Sequence, residues 1–304
     1  MHTGSVLAGI LPFVPKPLVW TVARRYIAGE TLADALRVTR DLEAHGRLAS
    51  LDLLGEQFTT REAVLTMVRA YETALVELQR AHPTATLSVM MTGFGLRLDP
   101  VFCWENVRRL AVSAADRGIA LTLNMEDSTT VEATLGIYRR LRAEGHTHVG
   151  IVLQSCLRRT LGDVAALASL RPRVRVVKGI WREPSEVAYL DADQIRASYT
   201  ATLEALLAAD AYVEVATHDD ALLDRALALV RGRDPMTYEF QMLLGVRPSR
   251  GDALVASGHR VRVYVPYGED WHAYSLRRLR ENPEMAQHVA RDLARAVRRR
   301  FVSA

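Results

Sequence analysis

The hydrophobic positions of this chain switch period again and again. Leu32, Ala35, Leu36, Thr39 and Leu42 share one side of a 3.6-residue repeat that Gly46 closes, which predicts a helix. Arg47 to Leu54 then reads as a strand, closed by Gly55 and Glu56. Thr59-x-x-Glu62 has the form of a capping box and opens a long helix with Val64, Val68, Tyr71, Leu75 and Leu78 on one face.

The alternation continues. Apolar strands are predicted over 86–91, 118–125, 148–154, 174–178, 212–217, 237–243 and 260–266. Helical patterns separate them: one through Val107 and Leu110, then 130–142, 161–170, 192–209, 220–230 and 252–257. Apolar strands that alternate with helices imply a parallel sheet covered on both faces. Eight such units favour an α/β fold of the closed (β/α)8 TIM-barrel type, with an open doubly wound sheet as the other possibility. No Gly-x-Gly-x-x-Gly follows the first strand, which argues against a dinucleotide-binding sheet. The expected division is an N-terminal helical arm over 1–45 and one catalytic barrel over 46–304.

Composition narrows this only slightly. The 304 residues are 49% hydrophobic and 24% charged, as in ordinary globular chains. A net charge of +4 with dispersed arginine, and no basic block interleaved with aromatics, gives no reason to expect nucleic acid. Cys103 and Cys156 are the only cysteines and have no metal-ligand spacing, so a reducing, cytoplasmic setting and no metal are expected. The apolar run from Ser5 to Trp20 is broken by Pro12, Pro15, Lys16 and Pro17 and has no basic leader, so it reads as a packed arm and not as a membrane span or signal peptide. The basic amphipathic stretch from Met285 to Phe301 reads as a terminal helix. Lys16 and Lys178 are the only lysines, so Lys178 marks a position that needs an ammonium.

The candidate chemistry begins with Tyr274-x-x-Arg277-Arg278-x-x-Glu281. On a helix these side chains share one sector, and two guanidinium forks beside a ring suit a planar carboxylate, with Glu281 bracing Arg277. In a (β/α)8 barrel the site lies at the C-terminal ends of the strands. Met90, Asn124, Gln154, Arg175, Lys178, Thr217, His218, Glu239, Gln241 and Tyr264 are placed there by the predicted strands. Each has a plain alternative: Gln154 and Gln241 as partners of barrel backbone, His218 as a hydrogen-bonded structural histidine, Asn124 as a loop cap.

The segments Leu51 to Glu56, Arg175 to Gly179, Ala216 to Asp219, Tyr238 to Gln241 and Tyr274 to Asn282 occur in the order and spacing of the proline dehydrogenase family, which the chain resembles from about Gly29 to Asn282. The resemblance implies a distorted (β/α)8 barrel that holds FAD without a dinucleotide-binding sheet. It implies that Arg175, Lys178, Gly179, Ile180, Gln154, Thr217 and His218 contact the flavin. Arg277, Arg278 and Glu281 would bind the substrate carboxylate, and Tyr264, Leu243 and Tyr274 would wall the substrate. Hydride would pass from the carbon beside the substrate nitrogen to flavin N5. The cations Arg175 and Lys178 would favour the negative charge that flavin reduction creates. Arg175 and Asn124 are therefore the expected catalytic positions. Electrons would leave to a quinone or to oxygen; a quinone would bring the protein to the inner face of a membrane as a peripheral contact.

Three positions depart from the family pattern. Its strand-two lysine falls on Met90, its strand-three aspartate on Asn124, and the aromatic that follows the Lys-Gly of strand five is Trp181. Losing both members of an ion pair is far less costly than losing one, so the pocket reads as rebuilt. The sequence reading is a carboxylate-bearing amine, imino acid or N–N compound other than proline, with L-proline itself as the alternative. Two other classes stay open: a non-redox barrel with Lys178 as Schiff-base lysine, and a flavin-binding protein with little catalysis.

Overall fold

The computed structural model describes residues 19–20, 23–55, 58–82, 84–272 and 274–275. Arg277, Arg278 and Glu281, and the stretch from Met285 to Phe301, lie outside the described residues.

Eight parallel strands close into one barrel in sequence order. They are β1 (Leu48–Leu53), β2 (Thr86–Val89), β3 (Leu121–Leu123), β4 (Val149–Gln154), β5 (Arg173–Val177), β6 (Tyr212–Ala216), β7 (Tyr238–Leu243) and β8 (Val261–Tyr267). β8 pairs with β1 over six residues, from Leu48 opposite Arg262 to Leu53 opposite Tyr267. Helix α1 (Leu32–Ala44) precedes β1, and α2 (Arg61–Ala81), α3 (Pro100–Ala115), α4 (Val131–Ala143), α5 (Thr160–Leu167), α6 (Ala192–Ala208), α7 (Asp220–Leu229) and α8 (Pro248–Ala256) follow β1 to β7 in turn. None of the described helices is long and apolar enough to cross a membrane.

Local chemistry sets the helix starts. Thr31 caps α1 in a reciprocal capping box with Asp34. The cap of α2 is Thr60, which accepts from the Ala63 N–H, not Thr59 as the Thr59-x-x-Glu62 pattern suggested. Asp99 and Pro100 start α3, and Pro248 starts α8 four residues before the expected boundary, because proline suits a first helical turn.

Each helix lays an apolar stripe on the outside of the barrel. Tyr71 of α2 and Tyr199 of α6 are fully buried, and their hydroxyls donate to the carbonyls of Ser88 and Val176 at 2.8 and 3.0 Å. The apolar strand residues meet these helices: Leu51, Leu87, Val89, Leu121, Leu123, Ile151, Leu153, Val174, Val176, Val213, Val215, Phe240, Val263 and Val265 join one core cluster. The strands are thus apolar toward the helices and polar toward the barrel axis.

The arm packs on the barrel's C-terminal end. Val19, Ala23 and Ile27 form a second cluster with Leu54, Trp271 and Tyr274. The rings of Trp20 and Trp271 meet tilted, 4.7 Å apart, and the Trp271 indole N–H donates to Glu30 at 2.7 Å. Gly245, at φ 73°, lets the arm cross closely: a Cβ there would stand 1.9 Å from the Arg25 carbonyl oxygen.

Candidate active site

The barrel axis is charged. On alternate residues of the last four strands stand Arg173, Arg175, Glu214, Glu239, Gln241 and Arg262, all buried or nearly so. Glu239 receives Arg262 at 2.6 Å and lies 3.5 Å from Arg173. Glu214 pairs with Arg173 on one oxygen and lies 3.3 Å from Arg175 Nε on the other. Gln241 donates to both carboxylates, at 2.5 and 2.7 Å. Burial works against the Glu239 carboxylate, but Arg262 and Arg173 outweigh it and hold this group below the ordinary range. With buried Asp52, the described interior of the barrel balances three guanidinium groups with three carboxyl groups.

Arg175 crosses the barrel from β5. Its Nη1 donates to Ser88 Oγ at 3.1 Å and to Asn124 Oδ1 at 3.2 Å, and Nη2 reaches Ser50 Oγ at 3.5 Å. Tyr264 lays its ring 5.4 Å from the guanidinium carbon. Asn124 Nδ2 donates to the Tyr264 hydroxyl at 3.2 Å and lies 3.5 Å from Asp52 Oδ1. Strands β1, β2, β3, β5, β6 and β8 therefore meet at one guanidinium. The sequence placed Arg175 at the rim beside Lys178; the structure puts it within the barrel, 4% exposed. Glu239 and Gln241, also expected at the rim, belong to the interior network.

The rim residues sit on three adjacent strand ends. Gln154 is 3% exposed, and its Nε2 donates to the Glu126 carbonyl at 2.8 Å. Lys178 leaves β5 with a side chain 45% exposed, 3.4 Å from Asp219. Burial raises the Asp219 carboxyl, but the Arg196 hydrogen bond and the Lys178 charge leave it lower than usual. Gly179 follows at φ 102°, where a Cβ would stand 2.3 Å from Cys156 Sγ and 3.4 Å from Gln154 Oε1. Ile180 is 37% exposed beyond it. Thr217 is buried after β6, and its hydroxyl accepts from the Asp219 N–H. His218 Nε2 accepts the Leu243 N–H at 3.0 Å. Burial, helped by the charges of Arg247 and Lys178, pulls the His218 pKa down to about 4. His218 is therefore a neutral imidazole near pH 7, and Nδ1 carries its proton.

Of the expected substrate contacts, Leu243 ends β7 within hydrogen-bond reach of His218, Met90 follows β2 half-buried, and Trp181 is half-buried on the β5–α6 loop. Tyr274 is buried beneath the arm with Trp271. Two residues to which the sequence reading gave no role fix this rim. Glu183 accepts from the Ser128 N–H at 2.7 Å and from its hydroxyl, tying the loop that carries Trp181 to the β3–α4 loop. Buried Glu126 accepts from the Thr92 N–H at 2.9 Å and from the Thr92 hydroxyl, joining the β2 and β3 ends.

This donor set suits a flavin nucleotide. Arg175, Lys178, the Gln154 amide, the Thr217 hydroxyl and the His218 Nδ1–H offer cationic and neutral donors to carbonyl and phosphate oxygens, and Gly179 has no side chain to block the approach of a flat ring.

Comparisons with known proteins identify the family. The family model described as proline dehydrogenase matches residues 35–291. A Deinococcus radiodurans proline dehydrogenase is 39% identical over 282 residues, covering 90% of this chain and 91% of that protein. Proline dehydrogenase 1 of Bacillus subtilis is 33% identical over 273 residues, covering 89% and 90%. Among solved structures, proline utilization A from Bdellovibrio bacteriovorus inactivated by N-propargylglycine superposes with a TM-score of 0.82 over 91% of this chain and 36% of that one; at 21% identity it speaks for the fold alone. A match over most of the chain, with relatives above 30% identity across nine-tenths of it, makes this chain an oxidoreductase that belongs to the proline dehydrogenase family.

Proposed function

We propose that the protein is an FAD-dependent dehydrogenase that takes a hydride from the carbon next to the nitrogen of a proline-like amino acid, with L-proline and its oxidation to pyrroline-5-carboxylate as the first case to test. The observation that carries this reading is Arg175, a cation locked within the barrel among Ser50, Ser88, Asn124 and Glu214. A fixed cation stabilises negative charge that develops beside it without reorganising during the reaction. FAD, when bound, supplies the two-electron acceptor. Gln154, Lys178, Gly179, Ile180, Thr217 and His218 would hold it, with Arg175 close to its ring.

Tyr264, Leu243, Met90, Trp181 and Tyr274 would enclose the substrate. Arg277 and Arg278, braced by Glu281, would take its carboxylate and orient the reacting carbon. Electrons would pass to a quinone or to oxygen, and a quinone acceptor would bring the protein against a membrane surface.

A second reading, that the amine is not proline, is favoured by Met90 and Asn124. The structure gives Asn124 three polar partners, so this neutral amide is integrated into the pocket. A Schiff-base role for Lys178 fits poorly: its half-exposed ion pair with Asp219 is not the desolvated setting such a lysine needs.

Cofactor released by heat and identified by chromatography tests the flavin. A panel of cyclic and acyclic secondary amino acids then tests the substrate. FAD in near-stoichiometric yield and turnover of L-proline support the first reading. FAD with turnover of another amine only supports the second. Protein that neither carries nor takes up FAD would contradict both.

A further inference from the structure

Glu214 sits between two guanidinium groups. One carboxylate oxygen pairs with Arg173, and the other lies 3.3 Å from Arg175 Nε and accepts from Gln241 at 2.5 Å. Its side chain is 1% exposed. The strand register puts Glu214 directly opposite Arg175 on one side and Glu239 on the other. Arg173 also faces Glu239, which holds Arg262, and Arg262 donates to the carbonyls of Ala49 and Thr84 at the opposite end of the barrel. The charges run Arg262, Glu239, Arg173, Glu214, Arg175, alternating in sign from the base of the barrel to the candidate site.

Arg175 is the end of this chain, and its guanidinium meets the Tyr264 ring at 5.4 Å, neutral oxygens at Nη1 and Nη2, and Glu214 beside Nε. Ser50, Ser88 and Asn124 take Nη1 and Nη2 through neutral oxygens. Glu214 alone among these partners brings a negative charge, and it does so on the Nε side, away from the other three. A buried charge acts over distance with little screening. The positive charge that Arg175 presents is therefore the guanidinium charge less what Glu214 neutralises.

We propose that Glu214 is the positioning residue of Arg175 and the counter-charge that sets how much positive charge Arg175 presents to the site. The positioning half stands on the apoprotein geometry; the tuning half rests on the flavin reading above.

The two halves are tested by Glu214→Gln, a near-isosteric change that keeps an acceptor for Gln241 and removes the charge. Because it leaves Arg173 and Arg175 short of a partner, a Glu214→Gln protein that fails to fold is replaced by Arg173→Gln/Glu214→Gln, which removes one cation with the anion. The first readout needs no cofactor: the Nη–H signals of Arg175 in arginine-labelled protein, assigned with Arg175→Lys and followed by hydrogen exchange, since their bonds to Ser50, Ser88 and Asn124 form only while the guanidinium is held in place. Exchange at least tenfold faster in the variant supports positioning; unchanged exchange overturns it. The second readout is the midpoint potential of the bound flavin. A shift to more positive potential, larger in the single than in the double variant, supports tuning; an unchanged or more negative potential overturns it. Wild-type protein that carries no flavin overturns the tuning half together with the cofactor reading, and the exchange measurement still decides positioning.

Discussion

Arg175 Nη1 donates to Asn124 Oδ1 across 3.2 Å, and that bond fixes which way the Asn124 amide faces. The amide nitrogen must then point to Tyr264 and toward Asp52, where it is found. An aspartate at 124 would attract Arg175, whose charge Glu214 already shares, and would place a second carboxyl group 3.5 Å from Asp52. It would also give the balanced barrel interior an extra negative charge. Asn124→Asp alone is therefore expected to lower stability by about 1–3 kcal/mol at pH 8. Its carboxyl pKa should be raised on folding. The penalty is then absent below the unfolded-state value of about 4, grows as pH rises from there to the folded value, and is complete above it. Met90→Lys/Asn124→Asp should recover most of the loss. Urea denaturation of the four proteins at pH 4 and pH 8 checks this; a single variant more stable than wild type at pH 8 would refute the charge-balance argument.

His218 makes stability fall with acid. Its folded pKa, about 4, lies below the ordinary histidine value of 6.5. Above pH 6.5 both states are neutral and there is no cost. Between 6.5 and 4 the unfolded chain takes up the proton and the folded chain does not, so stability is lost as pH falls. His218→Gln keeps an acceptor for the Leu243 N–H and cannot titrate. The stability difference between the two proteins should shift by about 3 kcal/mol in favour of the variant between pH 7.5 and pH 4. A difference that stays flat across that range would mean that His218 is not buried as a neutral ring.

Gly179 turns the chain off β5 at a φ that L-residues rarely adopt, with Cys156 Sγ in the way of any side chain. Gly179→Ala should cost about 2–4 kcal/mol and reduce FAD retention. Cys156→Ala in that background should return only the steric part, because the backbone strain remains. Full recovery in the double variant would show that strain contributes nothing.

The loop that carries Trp181 is tied down by Glu183 on Ser128. It is also joined to the β4–α5 loop, where the Tyr189 N–H donates to the Cys156 carbonyl and the Arg158 N–H to the Val187 carbonyl. Glu183→Ala removes the first tie and leaves the others. Trypsin should then cleave after exposed Arg182 several-fold faster, read by mass spectrometry on native protein. An unchanged cleavage rate would assign the loop's order to the 187–189 contacts alone.

All eight strands and most helices were legible because period-two and period-3.6 patterns are local. The misses have local causes as well. The strand expected over 118–125 is only Leu121–Leu123, since Gly118 and Ile119 still complete the end of α3 through bonds to Ala115 and Ala114. The barrel's charged axis was visible only as polar alternation in Arg173-Val-Arg175, Tyr212-Val-Glu214, Glu239-Phe-Gln241 and Arg262-Val-Tyr264. Each segment alone resembles a strand with stray polar residues. Their charged partners lie on other strands, up to 66 residues away in the chain for Arg173 on β5 and Glu239 on β7, so no local pattern announces the pairing. The resemblance supplied the site residues by motif. It did not reveal that Arg175 and Lys178, three residues apart, occupy different environments, because β5 ends at Val177 and Lys178 has already left the barrel wall.

The central claim is that this barrel oxidises a proline-like amino acid through a flavin held at its C-terminal rim. The most direct measurement is the visible spectrum of FAD-loaded protein during anaerobic addition of L-proline. Loss of the flavin absorbance on addition, with a substoichiometric response in Arg175→Met, is the predicted result. A flavin spectrum that dithionite bleaches but neither L-proline nor any other secondary amino acid alters would contradict it.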